Sequence, residues 1–293
     1  MIPTFVNPEA GSAKAILDAL ERHPGFDVRL TPATGFTVAL RSAVQAGEPR
    51  VAVAGGDGTL ASAAAVLAGT TTALAVIPGG TLNHFARDQG IPTEVDEALD
   101  LAEHGRAGPV DVGYVNDNLF LNTSSVGAYV RFVETRDRLE RYLGYSLASV
   151  AAGIRILRSA RRMRVTLEVE GETRVYQARL VFIAVGERSL TPPGIGRLVG
   201  APGGLLQVVV PRGRRQARRL ARAFARSDRG LPVEAKSFGL DSALVRQLRL
   251  DVPMSRVRVA TDGEIRKPME TPLEYRIESG ALRVVLPSEK GEG

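Results

Sequence analysis

The chain has 293 residues, 44% of them hydrophobic, and no cysteine. This length favours two domains over one, and the lack of cysteine excludes a disulfide framework and a thiolate zinc site. The net charge of +6 attracts phosphates without distinguishing a nucleotide from a nucleic acid or an anionic lipid. We find no run of about 18 apolar residues and no signal-peptide pattern, so we expect no transmembrane helix and a cytoplasmic protein.

The first third of the chain alternates between predicted strands and predicted helices. Strands separated by helices of about 10–15 residues indicate βαβ units and a parallel sheet. The strands are apolar on both faces, which is typical of a sheet covered on both sides. The predicted pairs of strand and helix are PTFVNP with AKAILDALERH, FDVRLT with TVALRSAVQAG, RVAVAGGDGT with LASAAAVLAG, and ALAVIPGGT with VDEALDLAEHG.

The pattern changes near residue 110. PVDVGYVNDNLFLNTSS predicts a hairpin around an Asn-Asp-Asn turn, and the segment at 129–162 is helical in composition. Later runs predict short strands with turns between them: RMRVTLEVEGETRVYQARLVFIAV, LLQVVVP, RQLRLDVP, SRVRVATDGE and LEYRIESGALRVVLP. We therefore predict an α/β domain at 1–124 and a mainly antiparallel β domain at 125–293, with the boundary near 122–130.

The motif GGDGT at residues 55–59 stands where a predicted buried strand ends and a helix begins. A helix N-terminus there exposes backbone N–H groups that favour an anion, and glycines allow a phosphate to approach closely. Asp57 would repel a phosphate unless a cation such as Mg²⁺ lies between them. We predict a site for a metal-bound polyphosphate. The alternative is a tight strand–helix turn with Asp57 as the N-cap.

Two further corners repeat this chemistry. Gly79, Gly80 and Thr81 end the next strand, and the first strand is followed by VNPEAGSAK, with Asn7, Gly11 and Lys14. Neighbouring strand ends of this kind could line one pocket, because ligands collect at the carboxyl ends of parallel strands. No corner matches the Walker pattern or G-x-G-x-x-G, so we predict a phosphate site of another type.

Five motifs occur in one order: NPEAG, GGDGTL, PGGTLNHFARDQGIP, VDVGYVNDNLFLNTSSVGAYVRFVETRDR and ATDGE. In this combination, over about residues 2–287, the chain resembles the diacylglycerol kinase catalytic-domain family, which includes bacterial lipid kinases, sphingosine kinases and ceramide kinases. GGDGT alone is shared with NAD kinases and, loosely, with phosphofructokinases. The specificity of the resemblance therefore comes from the combination with GGTLNHFA and DGE.

The resemblance implies an α/β nucleotide domain of the NAD kinase and diacylglycerol kinase type, followed by a β-rich lipid-binding domain. It leaves open a return of the last strand, near RVVLP, to the first domain. The implied reaction transfers the γ-phosphate of ATP, with Mg²⁺, to the hydroxyl of a lipid such as diacylglycerol. Asp262 would be the general base, with Glu264 close by, and Asp57 would bind the metal. The implied cofactor-binding residues are Asn7, Lys14, Thr31, Gly55, Gly56, Asp57, Gly58, Thr59, Gly80, Thr81 and Asn83.

The chemistry of phosphoryl transfer supports the role of Asp262 as general base independently of the resemblance. Phosphoryl transfer depends mostly on positioning and electrostatics, and an Asp that accepts the hydroxyl proton orients the attack. The alternative is that Asp262-Gly263 is a simple hairpin turn.

Several positions depart from the family pattern. Ala61-Ser62-Ala63 replaces the Asn-Glu pair that often follows the glycine loop, and His84 stands where Asp is frequent. Pro202-Gly203 stands where the family usually has Asp-Asp-Gly, and Gly186-Glu187 replaces an Asn. We therefore expect the magnesium site of the second domain to be absent or altered. The missing carboxylates also motivate an alternative function, a nucleotide- or lipid-binding protein that has lost catalysis.

The basic stretch at 212–229 is open to two interpretations. It is either a surface for an anionic membrane or an amphipathic helix packed on the β domain, with arginine stems covering apolar surface. A single aromatic residue disfavours nucleic acid as a partner.

We predict a lipid kinase bound peripherally to the inner membrane surface, for which the resemblance suggests a homodimer. The alternative within enzymes is a kinase for a soluble acceptor such as NAD.

Overall fold

A computed structural model describes residues 1–127, 162–189, 198–199, 203–211 and 240–287 of the chain. Nearly all of the predicted helical segment at 129–162 and the whole basic stretch at 212–229 lie outside the described residues. Among the described helices, none is long and apolar enough to cross a lipid bilayer.

The chain forms two compact units, one of Met1–Val112 with Glu278–Gly293 and one of Gly113–Ile277. The first boundary lies after residue 112, whereas the prediction placed it after residue 124, and the last strand returns to the first unit, as the resemblance left open. The chain leaves the first unit within the strand Arg106–Val115 and returns within the strand Leu273–Leu286. Because continuous strands cross both boundaries, no linker marks them in the sequence.

The first unit alternates strands and helices in the predicted order. The pattern does not predict α4, which is too short to show a helical period, and α3 begins at the Asp57 of the glycine motif rather than after it. The elements are β1 (Ile2–Val6), α1 (Ala13–Leu20), β2 (Phe26–Leu30), α2 (Phe36–Gln45), β3 (Arg50–Gly55), α3 (Asp57–Leu67), β4 (Ala73–Pro78), α4 (His84–Asp88), α5 (Val95–His104) and β5 (Arg106–Val115).

Parallel pairing places the first four strands in the order β2-β1-β3-β4. α1 and α5 share an apolar core with Ala52 and Ala54 of β3. On the opposite side of β3, Val51 and Val53 are also fully buried, and α3 packs against β3, β4 and α2. The sheet is thus covered on both faces, which explains why its strands lack the alternation of a half-exposed sheet.

The last strand, β18 (Leu273–Leu286), contributes to both units. Val284 pairs with Leu74 of β4 in parallel, so the end of the chain completes the first sheet. The sequence predicts a short strand in the run LEYRIESGALRVVLP, whereas the observed strand has 14 residues. β18 continues through Gly280, whose φ of 62° suits glycine, and the N–H of Gly280 donates to a carboxylate oxygen of Asp111.

The second unit is built from antiparallel strands, as predicted. Its elements are β6 (Asn118–Phe120), β7 (Thr123–Gly127), β8 (Met163–Val169), β9 (Glu172–Ala178), β10 (Leu180–Val185), β11 (Leu206–Pro211), β12 (Leu240–Val245), β13 (Gln247–Asp251), β14 (Arg256–Val257), β15 (Val259–Thr261), β16 (Glu264–Ile265) and β17 (Met269–Glu270). In the described part of this unit, one sheet has the order β12-β11-β10-β7-β15-β16, and the other strands follow the order β18-β13-β8-β9. Side chains from both sets of strands share one apolar core.

Candidate active site

The two glycine-rich corners of the first unit touch through their backbones. Gly55 pairs with Pro78, so both corners follow the same edge of the sheet. A β-carbon on Gly80 would lie 2.7 Å from the Cα of Gly56, and one on Gly56 would lie 3.2 Å from the Cα of Gly80. A β-carbon at position 80 would overlap the Gly56 backbone, and one at position 56 would make an unusually tight contact, so this close approach favours glycine at both positions. The structure thereby brings together the two motifs that the sequence predicts to line one pocket.

The N-terminus of helix α3 lies at this site. Gly56 is its N-cap residue, and the first hydrogen bond within the helix runs from the N–H of Leu60 to the carbonyl oxygen of Gly56. The N–H groups of residues 57–59 therefore precede the hydrogen-bond ladder of the helix. Together with the helix dipole, they favour an anion.

Asp57 is the first residue of α3 rather than its N-cap, so the predicted alternative role at that helix is wrong. Its carboxylate instead accepts the N–H groups of His84, at 3.1 Å, and Phe85, at 3.0 Å. These are the first N–H groups of α4, which Asp57 thus caps from outside. The role of Asp57 as a metal ligand stays a prediction.

Asn83 shapes the second corner. Its side-chain oxygen accepts the N–H of Gly80 at 2.9 Å, and its backbone has a φ of 48°, a left-handed conformation that Asn adopts more readily than most residues. Asn83 is buried, whereas Thr81 is exposed. The geometry therefore shows Asn83 supporting the loop, and direct contact of either residue with a cofactor stays a prediction.

Ser12 lies in the corner that follows β1, and its hydroxyl donates to the carbonyl oxygen of Gly79 at 2.7 Å, which joins this corner to the one at Gly79–Thr81. Ser12 was not predicted as a site residue, although it stands in the motif VNPEAGSAK. Asn7 accepts the N–H of Glu9 in a local turn, and Lys14 is exposed on α1.

Thr31 lies just after β2. Its N–H donates to the carbonyl oxygen of Val6 at 2.9 Å, so the end of β2 is held beside the end of β1. Its hydroxyl donates to the carbonyl oxygen of Arg29 at 3.0 Å. The predicted cofactor-binding residues thus follow the carboxyl ends of four neighbouring strands, β1 to β4, which is where open parallel sheets bind ligands.

Several positions that depart from the family pattern have a local structural role, and Pro202 lies outside the described residues. Ala61 and Ala63 are buried in the packing of α3, and the hydroxyl of Ser62 donates back to the carbonyl oxygen of Gly58 at 2.9 Å. In the second unit, Gly186 has a φ of 72° and a β-carbon there would lie 2.5 Å from Leu198 Cδ1.

The described part of the first unit brings few side chains together that could coordinate a metal ion. Within the described residues no group of three or more His, Cys, Asp or Glu side chains could hold an ion. Mg²⁺ commonly needs only one or two carboxylates when phosphates and water complete its coordination, so Asp57 fits a nucleotide-borne magnesium.

In the second unit, Asp262 and Gly263 form the turn of the β15–β16 hairpin. Thr261 pairs with Glu264, and the φ angles of the two turn residues are 49° and 82°. Positive φ at both positions is the signature of the favoured two-residue turns, for which Asp-Gly is well suited. The predicted alternative, a hairpin turn, therefore describes the backbone correctly.

The side chain of Asp262 does more than form a turn. One carboxylate oxygen accepts the N–H of Leu121 at 2.8 Å, and the other accepts those of Asn122 at 2.7 Å and Thr123 at 3.0 Å. Three backbone donors fix the position of the carboxylate. A carboxylate held in this way can orient a hydroxyl group.

Glu264 is exposed, with one oxygen 3.8 Å from a guanidinium nitrogen of Arg266. The Nε of Arg266 donates to the hydroxyl of Thr261 at 2.6 Å, which holds the arginine along the hairpin. The predicted part of Glu264 in catalysis stays a prediction.

The segment that holds Asp262 is polar within a buried sheet, and the sequence analysis missed its side chains. Ser124 and the hydroxyl of Tyr275 form a hydrogen bond at 3.0 Å, and burial raises the pKa of Tyr275. Asn122 and Ser125 are also buried. The sequence feature that could have indicated these residues is the polar run LNTSS within a predicted strand.

Comparison with known proteins agrees with this architecture. Residues 2–115 match the family model of the diacylglycerol kinase catalytic domain. A protein of Cronobacter sakazakii named "Probable lipid kinase YegS-like" is 36% identical over 183 residues, 60% of this chain and 59% of that protein. One of the same name from Pseudomonas syringae pv. syringae is 39% identical over 135 residues, 44% of each. The chain spans about half the length of the curated relatives that it matches.

A solved structure described as a "putative diacylglycerol kinase" from Bacillus anthracis superposes with a TM-score of 0.77, at 23% identity, and covers 98% of this chain and 95% of that one. The fold is therefore that of a two-unit protein of the diacylglycerol kinase type, which confirms the predicted fold class. The match of residues 2–115 to the family model confirms the recognition of the diacylglycerol kinase catalytic-domain family from the sequence motifs.

Proposed function

We propose that this protein is a lipid kinase that transfers the γ-phosphate of ATP to the hydroxyl of a lipid acceptor. The observation that carries the proposal is the contact between Gly56 and Gly80, which joins the open N-terminus of α3 to the second glycine-rich corner. Both corners lie within residues 2–115, which match the family model of the catalytic domain, and this supports phosphate binding there. Relatives named as lipid kinases support the choice of a lipid acceptor.

On the nucleotide side, the N–H groups of residues 57–59 would bind phosphate oxygens. Asp57 would hold Mg²⁺, which supplies charge neutralisation at the phosphates when it is bound. The two hydrogen bonds from α4 orient the Asp57 carboxylate beforehand. Asn83 keeps the second corner in shape, while Asn7, Lys14, Thr31 and Thr81 are the further nucleotide contacts that we propose.

On the acceptor side, Asp262 would accept a hydrogen bond from the reacting hydroxyl and act as the general base. The hydroxyl oxygen forms a bond to the γ-phosphorus, the bond from that phosphorus to the bridging oxygen breaks, and ADP leaves with the electron pair. The hydroxyl proton passes to Asp262 and then to solvent. Because three N–H groups hold the carboxylate in place, it would orient the hydroxyl, and the proton would be transferred late, as a loose phosphoryl-transfer step allows.

The test is the transfer of labelled γ-phosphate to lipid. The purified chain is incubated with ATP, Mg²⁺ and mixed vesicles carrying diacylglycerol, monoacylglycerol, sphingosine or ceramide. Asp262→Asn suits the positive φ of the turn and should lower kcat by about 10²- to 10⁴-fold, with unchanged ATP affinity. Asp117→Asn is the matched control, because Asp117 is an exposed turn residue of the same unit.

Each of the other possible results would support a different function or a different role for Asp262. Full activity of Asp262→Asn would reduce Asp262 to a turn residue. ATP binding without any labelled lipid would favour a binding protein that has lost catalysis. The loss would then be attributed to missing carboxylates such as the one replaced in the segment of the buried Ala61 and Ala63. Labelling of NAD in a parallel incubation with NAD instead of vesicles, without labelling of any lipid, would favour the soluble-acceptor kinase.

We also propose that the basic stretch at 212–229 binds an anionic membrane surface. Cosedimentation with vesicles should increase with the fraction of anionic lipid and decrease with salt, since such binding is electrostatic. Salt-independent cosedimentation would contradict this. The homodimer suggested by the family stays a prediction that sedimentation velocity would test.

A further inference from the structure

Strand β2 (Phe26–Leu30) has an exposed edge. It stands at one end of the order β2-β1-β3-β4 and, within the described residues, pairs only with β1. Two of its apolar side chains face solvent, since Val28 is 40% exposed and Leu30 is 58% exposed. An unpaired strand edge is a template on which another chain can add a strand, so this edge is a candidate interaction surface.

The backbone groups at this edge belong to alternate residues. Gly25 accepts an N–H group of β1, and Thr31 donates its N–H to a carbonyl oxygen of β1. Because successive residues of a strand direct their backbone groups to opposite sides, the residues at 27 and 29 also face β1. Phe26, Val28 and Leu30 therefore direct their N–H and C=O groups away from β1, towards the exposed edge.

The side chains of β2 form two faces that suit pairing with an identical strand. Phe26, Val28 and Leu30 point to one face of the sheet, and Asp27 and Arg29 point to the other. The side chains of Asp27 and Arg29 are 44% and 41% exposed, and they form an ion pair at 2.8 Å. A second copy of the chain, running antiparallel, would present the same apolar face and the same two opposite charges.

One register satisfies both faces. When Val28 of one copy lies opposite Val28 of the other, Phe26 lies opposite Leu30, and Asp27 lies opposite Arg29. The apolar residues then form the hydrogen-bonded pairs, because they carry the outward backbone groups. Asp27 and Arg29 form the non-hydrogen-bonded pairs, in which side chains lie closer together, and opposite charges at such positions stabilise the pairing.

The neighbouring registers are disfavoured by charge. A shift that keeps the outward backbone groups paired moves one strand by two residues, and it places either Asp27 opposite Asp27 or Arg29 opposite Arg29. Like charges directly opposite each other destabilise a strand pair. Pro24 and Pro32 flank the strand and have no N–H group, so in the favoured register the ladder would end at both sides of the same apolar residues.

We propose that two copies of the chain associate through β2, with the strands antiparallel and Val28 on the two-fold axis. Such an interface is isologous, since each copy contributes the same surface. The partner is a second copy rather than an unrelated protein, because the charge pattern of β2 complements itself. The inference concerns assembly and does not depend on the proposed kinase function.

The test exchanges the two charges. Sedimentation velocity at low salt, over a range of protein concentrations, should show a monomer–dimer equilibrium for the wild type. Asp27→Arg leaves two positive charges on each strand and Arg29→Asp leaves two negative charges, so each should raise the dissociation constant of the dimer by about tenfold or more. An equimolar mixture of these variants should recover the dimer, because every positive charge then lies opposite a negative one. The double variant Asp27→Arg/Arg29→Asp should dimerise like the wild type.

A second comparison uses the apolar face. Val28→Arg places two positive charges together at the two-fold axis and should give a monomer. Val175→Arg is the matched control and should keep the dimer, because Val175 is 54% exposed and lies in β9, at the end of the order β18-β13-β8-β9. Urea unfolding is measured for every variant. If a charge variant does not fold, the comparison of Val28→Arg with Val175→Arg still decides.

Several results would overturn the inference. They are a wild type that stays monomeric at every concentration, a dimer that survives Val28→Arg, and a dimer that is lost in Val175→Arg. A mixture of the two single charge variants that stays monomeric would overturn it as well. Transfer of labelled phosphate is measured separately, so failure of the kinase proposal is distinguishable from failure of this one.

Discussion

The carboxylate of Asp57 accepts the backbone N–H of Phe85 at 3.0 Å, so the acidic residue of the GGDGT motif also caps helix α4. Its other oxygen accepts the N–H of His84 at 3.1 Å. One negative charge thus stands at the N-termini of two helices, since Asp57 also begins α3. Such a charge stabilises both helix ends and is oriented before any metal binds.

Removal of the Asp57 carboxylate should affect stability and nucleotide binding separately. Asp57→Ala loses both bonds to α4, and we expect a loss of about 1–2 kcal/mol in the free energy of unfolding, as for other helix caps. Asp57→Asn keeps one acceptor oxygen and should lose less. Both variants should lose the Mg²⁺ dependence of ATP binding, measured by calorimetry at several Mg²⁺ concentrations. Retained Mg²⁺ dependence in Asp57→Asn would assign the metal to other residues.

Substitution of Gly80 should disrupt the joined corners. Its β-carbon in Gly80→Ala would lie 2.7 Å from the Cα of Gly56 and 2.9 Å from the side-chain oxygen of Asn83. We expect a loss of about 1–3 kcal/mol, as for other overpacked sites, and weaker ATP binding. Gly35→Ala is the control, because its β-carbon would make only an ordinary contact, 3.9 Å from the carbonyl oxygen of Pro32. Equal urea midpoints for the two variants would contradict the close approach.

The side chain of Arg50, the first residue of β3, is hydrogen-bonded to the end of α5. Its guanidinium donates to the carbonyl oxygens of Ala102, Glu103 and Gly105 at 2.6, 2.8 and 2.7 Å, and burial lowers its pKa. Arg50→Lys keeps the charge but loses the fork of donors, so we expect a loss of about 1–3 kcal/mol in urea unfolding. Arg41→Lys, at an exposed position of α2, should change stability little. A similar loss in both variants would point to a general effect of removing arginine.

The pair of Arg22 and Asp96 should make stability depend on pH in the acid range. The hydrogen bond from Arg22, at 2.7 Å, is the largest cause of a lowered pKa of Asp96, and His23 contributes further. A depressed carboxylate pKa stabilises the fold above the unfolded value of about 3.9 and ceases to do so as the pH falls through the folded pKa.

The variant Asp96→Asn isolates this contribution. The difference in unfolding free energy between wild type and variant should be constant near neutral pH and should shrink below about pH 4. Because the side chains of Arg22 and Asp96 are 58% and 60% exposed, the difference should be small and should decrease with added salt. A difference that grows on acidification would contradict the sign of the shift.

Local patterns in the sequence determined much of this protein. The alternation of apolar strands with helices predicted the parallel sheet, and GGDGT together with PGGT predicted two corners at its edge. Asp262-Gly263 predicted its own hairpin turn, because Asp-Gly suits two successive positive φ angles. These features depend on residues close together in the chain, where period and turn chemistry are visible.

Only the tertiary structure decided what the polar side chains do. Asp262 bonds Asn122 across 140 residues of sequence, and Asp57 caps a helix that begins 27 residues later. Neither contact leaves a periodic signal, because each follows from which strand ends become neighbours. The unit boundaries were hidden for the same reason, since β5 and β18 read as ordinary strands. Sequence pattern specifies local conformation, whereas the pairing of a buried donor or acceptor is settled only when distant segments meet.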